Sequence, residues 1–194
     1  CIAPLLFILV FAPCAANTNL DQRIVEGARR EVKKHTIYLG GYYQMSYPNG
    51  DVPTTLGVCT DLIVRAFRNG GVDLQRLLHE DRVQHPSDYP TYLWKNKKPD
   101  PNIDHSRCQN LAVFFRKYAL SLTTEFDEKH FRDWQPGDVV FFVHKGQKHP
   151  WHVAIISDKK LESGISLILH LFPPKASEAS IADYGPIHSH FRWK

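Results

Sequence analysis

The sequence predicts an α+β domain, with a helical N-terminal half packed on an antiparallel sheet built from the C-terminal half. Two observations carry this. Up to about residue 120 the apolar residues recur at helical spacing, and from Trp134 onward they gather into short apolar runs divided by turn residues. A third sets the scale: 194 residues at 43% hydrophobic and 23% charged make one sizeable core and leave little room for a second.

The elements follow in order. Residues 1–16 hold about a dozen apolar positions followed by the small residues Cys14, Ala15 and Ala16, a pattern that predicts an export signal, truncated at its own start, rather than a membrane span. The single domain is then expected over 20–194. "NLDQRIVEGARREVKKHT" places Leu20, Ile24, Ala28 and Val32 on one helical face. A Gly-, Tyr- and Pro-rich loop leads to "CTDLIVRAFRNGG", a helix stopped by Asn69-Gly70-Gly71. "DLQRLLHEDRVQ" has Asp73 as its N-cap. Residues 86–106 are Pro-broken and aromatic, and "RCQNLAVFFRKYAL" returns to helix. Then come a Pro-Gly-Asp turn at 136–138, the strand "VVFFV", a second strand "WHVAIISD", a third "GISLILHLF" and a short last one, "SHFRW".

The formal charge of +4, with no Lys/Arg run or aromatic-basic stripe, excludes nucleic acid as the expected partner. Cleavage near Ala16 leaves two cysteines, Cys59 and Cys108, which either pair in a disulfide or act as one reactive thiol and one spectator.

Cys59 opens its helix, with Asp61 in the first turn. A cysteine nucleophile needs a depressed pKa, a base, and a group to orient the base. A helix N-terminus supplies the first through its dipole and free N–H groups, which also suit an oxyanion. Asp61 is expected to complement the dipole and to point away from the sulfur. Of eleven histidines, His152 opens the apolar strand "HVAII" and His170 interrupts "LILHLF". A hairpin centred near Leu161 sets these two opposite one another on one face, with Cβ atoms about 5 Å apart.

"GVCTDL", "WQPGDVVFFV", "HVAIISD" and "LILHLF" together resemble the NlpC-type branch of the papain-like cysteine peptidases. "YPNGDVP", "DLQRLLHED", "PDPNIDH" and "WQPGDVV" resemble, more closely, an uncharacterised bacterial domain-of-unknown-function family within that superfamily, over nearly all of residues 20–194. The resemblance implies a papain-like fold with nucleophile Cys59, base His152 and orienting residue His170, and it places Tyr47 near the substrate amine. It also implies an exported cysteine amidase or endopeptidase acting on peptidoglycan stem peptides, a periplasmic or extracellular monomer without cofactor, metal or stable membrane insertion. Two departures from the pattern are Ala154, where Gly is commoner, and the segment 86–106, which has no counterpart in the best-known NlpC-type enzymes. Asp104 and His105 in "NIDH" are the remaining candidates for substrate binding.

Two other readings compete: a non-catalytic wall-binding or inhibitory module in which Cys59 only packs, and a zinc hydrolase using His149, His152, His188 and His190. Neither histidine pair has helical i, i+4 spacing, and no acidic partner accompanies them.

Overall fold

The computed structural model describes residues 19–95 and 97–194. The expected export segment lies outside them. Among the described residues four α-helices, α1 (Leu20–Lys34), α2 (Cys59–Asn69), α3 (Leu74–Gln84) and α4 (Cys108–Tyr118), accompany eight strands. The strands are β1 (Ile37–Tyr38), β2 (Leu56–Gly57), β3 (Leu120–Ser121), β4 (Val139–Val143), β5 (Pro150–Lys160), β6 (Ser166–Phe172), β7 (Lys175–Ser180) and β8 (Ile187–Arg192). They form one mixed sheet in the order β2-β1-β7-β6-β5-β4-β8-β3.

The α+β class holds, with two differences from the expected sheet. It is not confined to the C-terminal half, because β1 and β2 join its edge as a parallel pair. Strand β7 was not expected. Its sequence, "KASEAS", carries no apolar alternation, yet it pairs residue for residue with β6 from Leu167 opposite Ser180 to Phe172 opposite Lys175. Pairing with a strongly apolar neighbour formed it, not its own propensity.

Strands β4, β5 and β6 are buried on both faces, which explains their unbroken apolar runs. Alternate residues serve two cores. On the helical face Val153, Ile155, Leu169 and Leu171 meet Leu62, Ile63, Phe67, Leu111 and Phe115, while Val140, Phe142, Ala154, Ile156 and Ile168 on the other face pack with Trp134 and Ile181. The Pro-Gly-Asp turn enters β4 as expected. Gly137 takes φ +91°, open to glycine at no steric cost, and the Asp138 carboxylate accepts the Gln135 N–H at 2.9 Å.

Candidate active site

The first turn of α2 is built around its own backbone. Asp61, three residues past the N-cap Val58, reaches back so that its Oδ2 accepts the Val58 N–H at 2.7 Å, while the Ser106 hydroxyl donates to its Oδ1 at 3.3 Å. The carboxylate is thus turned to the helix start, as expected. A Cβ added at Gly57 would lie 3.0 Å from that carboxylate, a close approach that favours glycine there. Cys59 follows Val58 as the first helical residue and is 6% exposed. Burial pushes the Asp61 carboxyl up to about 6, against the Val58 N–H and Arg65, which pull it down.

The two histidines meet, though not in the expected register. Ile155 pairs with Leu169 and Ile156 with Ile168. Carried forward, this sets His152 across from Phe172 rather than His170. The hairpin reverses later than Leu161, whose N–H bonds to Ile165 O at 2.8 Å, and the β5–β6 ladder slips between Ile156 and Lys160. The displacement is two residues, an even number, so both imidazoles keep one face and become diagonal neighbours. Their ring centroids are 5.2 Å apart, and His152 Nε2 lies 2.9 Å from His170 Nδ1.

His170 is held from its far side. Its Nε2 lies 3.0 Å from Ser177 Oγ on β7 and 3.1 Å from the Tyr184 hydroxyl. Burial first, and then His152, lower its pKa to about 3, so it is neutral at physiological pH. A neutral imidazole has one donor and one acceptor nitrogen. If Nε2–H donates to one of the hydroxyls, Nδ1 accepts from His152 Nε2–H, and His152 Nδ1 is left for the thiol.

The sulfur of Cys59 interacts with the Cys108 thiol, the His152 imidazole and the Val153 N–H. The Cys108 contact most strongly, then His152 and Val153, hold the Cys59 thiol well below the usual range against the opposing effect of burial. Cys108 is driven the other way, well above it, by burial and by Cys59. Both cysteines are free. Cys108 is therefore not a distant spectator but the immediate neighbour of Cys59. Tyr38 also faces the pair: burial, then Cys59, Asp61 and Cys108, raise its hydroxyl pKa.

The other candidates lie elsewhere. Tyr47 is exposed, with its hydroxyl 3.4 Å from Glu80 and its ring against His79, so it packs on α3. Asp104 is fully buried, ion-paired to Arg82, 2.9 Å from His79 Nδ1, and accepts the Asp100 N–H at 2.8 Å; it staples the loop to α3. His105 is 2% exposed, with its pKa lowered to about 4 chiefly by burial. The zinc set does not assemble: His149 meets Tyr92, His188 meets Ser189, and His190 lies between Thr123 O and Asp138, stacked on Trp134. Cys108 was visible in the sequence as a second cysteine opening an amphipathic helix. Ser177 and Tyr184 carried no signal, because only the fold of β7 and the turn after it brings them to His170.

The chain is 37% identical over 179 residues to the protein named "Uncharacterized protein YijF" of Escherichia coli (strain K12), a match covering 92% of this chain and 83% of that one. Residues 25–193 match the domain of unknown function DUF1287, and the chain belongs to that family.

Proposed function

We propose that this protein is an exported cysteine amide hydrolase of the NlpC-type, papain-like kind, acting on stem peptides of peptidoglycan. One arrangement carries the chemistry: the His152 imidazole acts on the Cys59 thiol at a helix start, and its Nε2 lies 2.9 Å from Nδ1 of the neutral His170. The substrate class rests on the resemblance of "GVCTDL", "WQPGDVV" and "HVAIISD" to that superfamily.

The Cys59 thiolate attacks the amide carbonyl, and the carbonyl π pair moves to oxygen, where N–H groups at the start of α2 stabilise the charge. Collapse expels the amine as the His152 imidazolium protonates it, leaving a thioester. Water, deprotonated by His152, then releases the acid and restores the thiol. His170 acts through His152, as an orienting group does in other triads.

The module reading retains one observation in its favour, since Cys59 and Cys108 are only 6% and 8% exposed. Alkylation separates the two. An activated Cys59 reacts rapidly with iodoacetamide below pH 7, whereas a packing thiol reacts slowly until the pH exceeds about 8.5. Hydrolysis itself is tested by incubating the protein and Cys59→Ala with peptidoglycan and weighing the fragments. Equal release by both eliminates the cysteine mechanism, and release by neither leaves the module.

A further inference from the structure

Three cross-links pin the start of α4 between the start of α2 and the start of β5. Thr60, one residue past Cys59, donates its hydroxyl to Ser106 O at 3.0 Å, and the Ser106 hydroxyl donates to Asp61 at 3.3 Å. Ser106 lies two residues before Cys108. Gln109, one residue past Cys108, donates its side-chain N–H to Pro150 O at 3.0 Å, two residues before His152. The neighbours of each cysteine are thereby fastened to one another, and the two thiols, both buried, share one core cluster. The sulfurs meet within this frame, and both are free thiols.

Amide hydrolysis uses Cys59 and leaves Cys108 without a task. A filler residue would be chemically independent of its neighbour, but these two thiols ionise far apart, Cys59 early and Cys108 late. A thiolate is the form that peroxides oxidise, and a protonated, buried thiol is spared. A hydroperoxide therefore meets one nucleophile with a second, unreacted sulfur already against it. That is the arrangement in which a sulfenic acid is captured as a disulfide before a second peroxide carries it to sulfinic acid.

We propose that Cys59 and Cys108 form a reversible oxidation site, at which a hydroperoxide oxidises Cys59 and Cys108 resolves the product as a Cys59–Cys108 disulfide. The oxidation stands on the thiol pair alone; its effect on hydrolysis rests on the amide-hydrolase reading. The Cys59 thiolate attacks one oxygen of hydrogen peroxide, and the O–O bond breaks. Sulfur is oxidised to the sulfenic acid, and the hydroxide released takes up a proton as water. Cys59 then carries no charge, which relieves its share of the effect that holds the Cys108 thiol protonated. The Cys108 sulfur attacks the sulfenic sulfur, the S–S bond forms and the S–O bond breaks, and the departing hydroxide leaves as water with the Cys108 proton. A dithiol reverses the step by exchange through a mixed disulfide and is itself oxidised to a disulfide.

Hydrogen peroxide added to the reduced full chain tests this, read by peptide mass mapping without reductant and by iodoacetamide labelling of Cys59 after dithiothreitol. The parent is expected to yield a linked Cys59–Cys108 peptide pair, and dithiothreitol to restore labelling at Cys59. In Cys108→Ala, Cys59 is expected to proceed to sulfinic acid, with about tenfold less labelling restored. Cys59→Ala is expected to slow oxidation of Cys108 by about tenfold or more. Should Cys108→Ala fail to fold by thermal unfolding, Cys108→Ser and the linkage in the parent carry the test. No linked pair in the parent, equal restoration with and without Cys108, or undiminished oxidation of Cys108 in Cys59→Ala would each overturn the assignment. Fragment release from peptidoglycan that falls and recovers in step with the disulfide supports both readings. A reversible disulfide in a protein that never cleaves peptidoglycan leaves the oxidation site standing and removes only the hydrolase.

Discussion

The first turns of α2 and α4 start alike and end differently. Each begins with a cysteine, Cys59 or Cys108, as its first helical residue, each cysteine is buried, and the two sulfurs are neighbours. Yet the Cys59 thiol is held well below its ordinary pKa and the Cys108 thiol well above. Helix position cannot explain this, because both share it. The difference lies in what stands opposite. The Cys108 thiol is the strongest influence lowering Cys59, and the His152 imidazole and the Val153 N–H add to it, whereas burial and the neighbouring sulfur both drive Cys108 up. A helix dipole acts on both sulfurs alike, so the partners across the gap decide which thiol ionises.

The largest expected effect breaks the comparison outright. Cys59→Ala or His152→Ala is expected to reduce fragment release from peptidoglycan by about 10⁴-fold or more, while Cys108→Ala retains activity within about tenfold. Equal losses at both cysteines would show that the pair works as one unit, contrary to the asymmetry above.

A smaller effect concerns His170. His170→Ala should lower kcat by about 10²- to 10³-fold with little change in KM, because it orients His152 without touching the substrate. The same change should move the pH profile of Cys59 alkylation upward, which a merely structural role would not do.

The pH dependence of stability sharpens the picture at Asp61. Its folded pKa of about 6 lies above the ordinary 3.8. A raised acid favours the protonated form in the fold, so its contribution is full below about pH 4 and lost as the pH rises through 6. Asp61→Asn keeps an acceptor for the Val58 N–H and removes the buried charge. Urea unfolding should therefore show this variant about 1–3 kcal/mol more stable than the parent at pH 8, and equal to it near pH 3. The least effect is expected from Cys108→Ser. It exchanges a thiol donor for a hydroxyl and should shift the alkylation midpoint of Cys59 by about one pH unit or less.

Much of this was legible in the chain. Helical spacing and caps located α1, α2, α3 and α4, turn residues located β4, β5, β6 and β8, and a cysteine opening an amphipathic helix marked Cys59. The meeting of His152 and His170 was legible only in part. Parity gave the shared face, but the hairpin reverses beyond Leu161 and a slip in the β5–β6 ladder offsets only part of that shift, leaving the partners two residues from the expected register, and no local pattern announces either change. Strand β7 was invisible because "KASEAS" forms a strand only against β6. Tyr47 shows the same limit: its place before Cys59 in sequence does not prevent it from packing on α3.

The sequence by itself determined the four helices, the strands β4, β5, β6 and β8, the apolar faces of α1 and α2, and that a thiol begins α2. These are local periodicities, set by 3.6 and 2 residues per repeat. Only the tertiary structure decided that Cys108 neighbours Cys59 and that Ser177 and Tyr184 brace His170. Each of those joins residues from different elements, and their separation is fixed by how the helices and the twisted sheet pack, which no single segment encodes.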